Sequence, residues 1–278
     1  MIYLRPVQAA DADNLFPLIY HSPVTDMLMW DGPESPADYR EKLAERQAAA
    51  QRGEYDFFSI IETGSNLPIG TCSLRPEMHG LSAEIGLWLG MPYQGKGYGQ
   101  RVVKELVESG FLQRNHDKIN AEVVVGNWPG LRIFQKNGFS LEGTLRKACW
   151  KRGYLRDIWA VGITRDEFLR QTDLIVHICR REEWRAAQKA GCYRPADLDL
   201  SGFIHCSRAE QVQGVVRRYF RSVDDLLLVW IRPGRLRAEL RWESADGQLF
   251  PHIYGVLNLD AVAAVRPVMS GGAGALRV

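Results

Sequence analysis

The sequence predicts a two-domain α+β protein: a mixed sheet flanked by helices, followed by a smaller α+β domain. Three observations carry that reading. Strand-like runs of period two alternate with helix-like runs of period 3.6 as far as Thr164. A second alternation restarts near Asp173 with no linker composition before it. The 278 residues, 46% hydrophobic and 24% charged, supply apolar mass for two cores. The expected domains are 1–171 and 172–278.

In order, "IYLRPV" reads as a strand, and Asp11 or Asp13 caps a helix carrying Leu15, Phe16, Leu18 and Ile19. Ser35 and Pro36 form an N-cap and first helical position for a helix reaching about Gln51. "DFFSIIE", the turn residues "TGSN" and "LPIGTCSL" read as a hairpin. In "SAEIGLWL", Ala83, Ile85, Leu87 and Leu89 share one face, and Glu84, Gly86 and Trp88 the other. Val102, Val103, Leu106, Val107 and Phe111 recur at helical spacing. "INAEVVV", a short helix around Gly130 to Lys136, and "RDIWAVGIT" complete the first half. The second half offers "DLIVHIC" as a strand, "REEWRAAQKAG" and "SRAEQVQGVVRRYF" as helices, and "DLLLVWI" and "RLRAELRWE" as strands. The run "SGGAGA" at 270–275 is expected to fray.

Charge and composition exclude several classes. The net charge is +2, and the basic residues are scattered apart from Arg146, Lys147, Lys151, Arg152 and Arg156, so no strong nucleic-acid signal is present. No apolar run approaches the roughly 20 residues of a membrane span. "MIYLRPVQAADAD" lacks the regions of a signal peptide. The five cysteines are odd in number and include no CxxC pair, as expected for reduced thiols in the cytoplasm. No metal set is legible, since His177, His205 and His252 lack close ligand spacing.

The stretch "PYQGKGYGQRV" carries the chemistry. Gly95, Gly97 and Gly99 lie between a strand-like and a helix-like run. A Walker A loop needs Lys-Ser/Thr after its last glycine, and Gln100 stands there. A dinucleotide fingerprint fails because Gln100 also occupies its sixth position. The pattern that fits is Gln94-x-x-Gly97-x-Gly99, which aims free amides and a helix dipole at one anion.

With "AEIGLWL", "PYQGKGYGQRVV", "NWPGLRIFQKNGF", "LEGTLRKA" and Asp157 of "YLRDIWAVGI" in this order, residues 1 to about 168 resemble the GNAT superfamily of acyl-CoA-dependent N-acetyltransferases. Within it they resemble the branch containing the ribosomal-protein α-amino acetyltransferases. The resemblance implies that Gln94, Gly95, Lys96, Gly97, Tyr98 and Gly99 bind the pyrophosphate of acetyl-CoA, the co-substrate. It sets Glu84 beside the acetyl group as general base, with a structural carboxylate as the alternative. It implies a strand that splays at Leu87, Trp88 and Leu89 to polarise the thioester carbonyl, and an Asn127 that contacts the pantetheine arm or orders its turn. Trp30 and Asp31 fall in the region that lines an acceptor pocket, although Met27 to Trp30 also read as core. One departure stands out: many members carry a tyrosine general acid where this chain has Phe134. Water, Tyr93 or Tyr98 then serves, or the thiolate leaves unaided, or the domain binds without turnover.

"GFIHCS", "AEQVQGVVRRYF" and "FPHIYGVLNLDAV" resemble an uncharacterised bacterial family, domain of unknown function 952, over about 174–268. That resemblance implies a fold similar to NAD-using ADP-ribosyltransferases, with His177, His205, Ser207, His252 and Tyr254 lining a cleft; the acid those enzymes often use has no clear counterpart here, Glu239 and Glu243 being the candidates. Ser207 also reads as the start of a capping box with Glu210. The expectation is an N-acetyltransferase acting on a protein N-terminus or a small-molecule amine. The alternatives are a non-catalytic acyl-CoA sensor and a bifunctional protein whose second half uses NAD.

Overall fold

The computed structural model describes residues 1–278 apart from 222, 246, 271–275 and 278. The run expected to fray thus lies outside the described residues except for Ser270. The chain forms two compact units, Met1–Phe168 and Leu169–Val278, where the sequence suggested a join at 171/172.

The first unit opens with β1 (Ile2–Pro6), α1 (Ala12–Ile19) and α2 (Pro36–Gln51). Asp11 does not cap α1 itself. Its carboxylate accepts from Gln8 N–H at 2.9 Å, one turn earlier, and from the buried Ser59 hydroxyl at 2.6 Å. Ser35 caps α2 as expected, its Oγ accepting from Asp38 N–H at 3.1 Å with Pro36 behind it. Then follow β2 (Asp56–Glu62), β3 (Pro68–Glu77), β4 (Ser82–Leu89), α3 (Tyr98–Glu108), β5 (Lys118–Val124), α4 (Trp128–Gln135), β6 (Ser140–Lys151), β7 (Tyr154–Thr164) and α5 (Arg165–Arg170). The sheet order is β1-β2-β3-β4-β5-β7-β6, with β4 and β5 parallel and every other pair antiparallel.

Period-two alternation divides this sheet between two helix layers. Leu15, Ile19, Tyr39 and Leu43 of α1 and α2 pack with Phe57 and Trp88 on one face. Val102, Val103, Leu106 and Val107 form the buried stripe of α3 and cover the other. Of the run Met27 to Trp30, Leu28 and Trp30 pack against the α1/α2 core, while Met27 and Met29 are exposed.

The tip of the β6–β7 hairpin grips that run. Lys151 is 4% exposed, and its Nζ donates to Trp30 C=O at 2.6 Å and meets Asp31 Oδ1 at 2.7 Å. Arg152 pairs with Asp26 at 2.5 Å and donates to Thr25 Oγ1 at 2.6 Å. Farther along, residues 146–148 bulge against a single partner residue, Asp157, whose Oδ1 accepts from Lys147 N–H at 2.8 Å.

The second unit contains β8 (Ile175–Arg180), α6 (Arg181–Ala190), β9 (Cys192–Tyr193), α7 (Ala196–Ser201), β10 (Ile204–His205), α8 (Ala209–Tyr219), β11 (Leu226–Ile231), β12 (Glu239–Ala245), β13 (Gln248–Tyr254), β14 (Leu257–Asn258) and β15 (Val262–Pro267). It holds two three-stranded sheets, β15-β11-β8 and β10-β13-β12, over a core that includes Ile175, Trp184, Ile204, Val229 and Ile253. The expected strand from Arg235 begins only at Glu239, because Pro233–Arg235 forms a 3₁₀ turn. Leu236, Ala238 and Leu240 still face the core, whereas Trp242 is exposed beneath the Arg208 guanidinium. Of the five cysteines, Cys72, Cys149, Cys179 and Cys206 are buried and Cys192 is half-buried, all of them free thiols.

Lys151→Met keeps the buried stem but removes the hydrogen bond to Trp30 and the pairing with a half-exposed Asp31. Urea unfolding should show a loss of about 1–2 kcal/mol. An unchanged midpoint would mean that the tip does not hold the 25–31 segment.

Candidate functional site

The first unit is built around a parting of strands. β4 and β5 pair only at Ser82↔Lys118, Ala83↔Ile119 and Glu84↔Asn120, and beyond Glu84 they separate. Gly90 N–H donates to Ile69 C=O on β3 at 2.9 Å. Successive residues of a strand present their peptide groups to opposite edges, so Leu89 and Leu87 present theirs to the edge that β5 has left. Gln94 occupies one of these groups, its Nε2 donating to Leu89 C=O at 2.9 Å.

The loop that follows carries the expected glycines, each with a physical reason. Gly95 and Gly97 have φ of 73° and 78°, a left-handed conformation that side chains disfavour. Gly97 is the N-cap of α3 and has no side chain to cap it, so the first-turn amides at Tyr98 and beyond are open to an anion. Gly99 serves packing instead, since a Cβ there would come within 2.9 Å of Ile133 Cδ1 on α4. Lys96 lies over the Tyr93 ring, and Tyr98 OH donates to Glu62 at 3.2 Å.

On the α1/α2 face of the parting stand three carboxylates. Glu84 pairs with Arg75 across β3–β4 at 2.9 Å. Glu77 accepts from Asn120 Nδ2 at 3.2 Å. Glu122, two residues beyond Asn120, shares this face. Burial raises the Glu122 pKa above the ordinary carboxyl value, and the neighbouring Glu84 and Glu77 raise it further against the pull of Arg75. Sequence reasoning named Glu84 and missed Glu122. The alternation in "INAEVVV" sets Glu122 opposite Ala121 and Val123, but only the register beside β4 brings it to Glu84.

The remaining expected residues fall elsewhere. Trp88 points away from Leu87 and Leu89 into the α1/α2 core, where its Nε1 and the Tyr39 hydroxyl are buried without partners. Asn127 caps α4, its Oδ1 accepting from Gly130 N–H at 3.0 Å. Phe134 is buried edge-on against Phe139 at 5.1 Å and offers no polar group. Asp31 is neutralised by Lys151, and Trp30 stacks on Tyr39 at 6.0 Å.

In the second unit, His205 and His252 face each other across β10–β13, with ring centroids 5.3 Å apart. Phe203 stacks on His252 at 4.2 Å. Glu243 receives His252 Nδ1 at 2.6 Å and Tyr254 OH at 3.0 Å, and these two contacts lower its pKa. Glu239 pairs with Arg241 instead. His177 stands apart from this face: its Nδ1 donates to His205 C=O and its Nε2 accepts from Tyr193 OH, both at 2.7 Å. Both nitrogens being occupied, it supports His205 from behind rather than lining a cleft. Ser207 does not begin a capping box. Its backbone is tied to Val176 by two 2.8 Å hydrogen bonds, and the cap falls one residue later, where Arg208 N–H donates to Gln211 Oε1 at 2.8 Å. Among the described residues no group of three or more His, Cys, Asp or Glu side chains converges on a metal position.

Comparison with known proteins agrees with this geometry. Residues 2–140, half of the chain, match the family model described as acetyltransferase (GNAT) domain, and residues 178–265 match a protein family of unknown function. An uncharacterized N-acetyltransferase, p20 of Bacillus licheniformis, is 28% identical over 166 residues, covering 59% of this chain and 93% of that protein. The spermidine N-acetyltransferase of Vibrio cholerae, solved with CoA and spermine, superposes with a TM-score of 0.54 at 20% identity over 60% of this chain and 98% of its own. The ribosomal-protein-S5-alanine acetyltransferase of Vibrio fischeri does so with 0.53 at 19% identity over 60% and 94%. At these identities the two structures establish the shared fold.

His177 makes one pH dependence readable. Burial lowers its pKa from 6.5 to about 4, so the unfolded chain binds a proton that the folded chain does not throughout that window. The stability this residue contributes is complete above pH 6.5 and falls by roughly 3 kcal/mol as the pH drops toward 4. Denaturant unfolding of the full chain should lose that slope in His177→Gln. An unaltered slope would assign the dependence to other groups.

Proposed function

This chain belongs to the GNAT acetyltransferase family, and we propose that its first unit transfers the acetyl group of acetyl-CoA to an amine in the angle between β4 and β5. The observation that carries the reading is the parting itself, with unpaired backbone groups at Leu87 and Leu89, an uncapped helix N-terminus beyond them and carboxylates at its closed end. The uncapped amides of α3 and Lys96 suit the pyrophosphate of acetyl-CoA. The Leu87 and Leu89 amides suit the thioester oxygen, where negative charge grows during transfer.

The acceptor arrives as an ammonium and must lose a proton before it attacks. Glu84 is engaged by Arg75, while Glu122, with its raised pKa, is the better-matched base. The base role expected of Glu84 therefore passes to Glu122. Glu122 takes the ammonium's proton; the free amine nitrogen then attacks the carbonyl carbon, the C–N bond forms, the C–S bond breaks with its electron pair leaving on the thiolate, and the second proton shed by the nitrogen passes to solvent. With Phe134 in the core, no phenol at that position meets the leaving sulfur. A thiol of pKa about 8.5 makes a stable enough thiolate to depart without one. Relatives of this fold are named for spermidine and for a ribosomal protein, and both acceptors present an amine.

Free CoA released from acetyl-CoA should depend on an added amine. Glu122→Gln should lower kcat about 10²- to 10³-fold and remove the acid limb of the pH–rate profile, which lies above the ordinary carboxylate range. Glu84→Gln should act mainly on the KM for the amine. Equal kcat in wild type and Glu122→Gln would remove Glu122 from the chemistry.

A further inference from the structure

The basic cluster at 146–156 is not used by the chemistry just described, and its members divide into two groups. Lys151 and Arg152 are committed to Asp31 and Asp26. Arg146, Lys147 and Arg156 have no ion pair among the described residues. Arg146 and Lys147 lie in the exposed bulge of β6.

Arg156 is placed differently from those two. Along β7 the residues Ala160, Ile158, Arg156 and Tyr154 share one face, and the register aligns Ala160 with Glu122 and Tyr154 with Lys151. That is the α1/α2 face, on which Glu84 and Glu122 stand and on which Lys151 grips the 25–31 segment. One face of one sheet therefore runs from carboxylates at the closed end of the parting to an unpaired guanidinium toward the hairpin tip. Four residue steps along β7 carry the chain from Ala160 to Arg156, a span of about 13 Å. Ile158 between them is buried, so anything joining the two ends passes over the side chains that cover it.

This polarity selects among amines. A polyamine meets a like charge at the far end. A free amino acid carries its carboxylate on the carbon next to the amine and cannot reach across about 13 Å. An extended peptide advances about 3.3–3.6 Å per residue, so an acidic side chain at its third to fifth residue reaches Arg156 while its α-amine lies at Glu122. We propose that the acceptor is the amino terminus of a polypeptide bearing Asp or Glu at its third to fifth residue, read by Arg156, with Arg146 and Lys147 adding positive field nearby. The proposal rests on the acetyltransferase reading of the first unit.

The test uses the full chain, acetyl-CoA and uncharged peptides in which one Glu, or one Lys, is walked from the second to the sixth residue. Wild type should prefer Glu over Ala at the third to fifth residue by about five- to tenfold in kcat/KM, and disfavour Lys there. Arg156→Glu should invert the order, Arg156→Gln should flatten it, and both should turn over the all-Ala peptide like wild type, which also shows that they fold. The proposal is overturned if Arg156→Glu keeps the wild-type order, or if spermidine is acetylated and no peptide is. Absence of CoA release with every amine would instead overturn the acetyltransferase reading, and this proposal with it.

Discussion

Three residue pairs hold β4 to β5 before the strands part, and everything the first unit offers chemically depends on where that pairing stops. Buried peptide groups are almost always paired within secondary structure, so a sheet that gives up its ladder at its centre leaves donors and acceptors for something else. Gln94 takes the Leu89 carbonyl. The amides of Leu87 and Leu89 remain turned to the opened edge, next to a helix whose first-turn amides are also uncapped. Neighbouring groups of one polarity, unpaired along a single line, suit one extended ligand with an anionic end.

The alternation of β4 divides its side chains between the two helix layers. Its odd-numbered residues face α3 and its even-numbered residues face α1 and α2, so one strand presents Leu87 and Leu89 to one layer and Glu84 to the other. The neighbouring strands extend the division. Asn120 and Glu122 of β5 continue the Glu84 face, while Gly99 brings α3 against Ile133 of α4 behind the other. The sheet thus sets the open α3 amides and the Glu84, Glu77 and Glu122 carboxylates on the two sides of one gap.

Much of this was legible from residue order, because it is local physics. The Ser35–Pro36 helix start, the β4 alternation and the α3 stripe follow from capping and periodicity, and they formed as read. What could not be read depends on partners distant in sequence. Glu122 owes its raised pKa first to desolvation and then to Glu84 and Glu77, which lie more than a helix away along the chain. Asp31 looked like a free acceptor carboxylate until the hairpin tip, 120 residues later in the chain, supplied Lys151 to neutralise it. Phe134 fitted the family's motif position, yet its side chain serves the core against Phe139. In the second unit the order of residues does not separate the three histidines, and only the fold distinguishes one locked between a carbonyl and a phenol from two that share a sheet face, His205 exposed and His252 buried under Phe203.

The distribution of the thiols has a consequence for redox chemistry. Nucleophilic attack on an oxidant or an alkylating reagent requires an accessible thiolate. Burial pushes the pKa values of Cys72 and Cys206 well above the ordinary thiol value and that of Cys179 to about 12. Cys149 is likewise shut from solvent. Cys192, at the start of β9 in the second unit, is left as the one partly open thiol. A mild oxidant or a maleimide would therefore mark the native protein at a single position, which offers a handle for a fluorophore while acetyl transfer is being watched in the first unit.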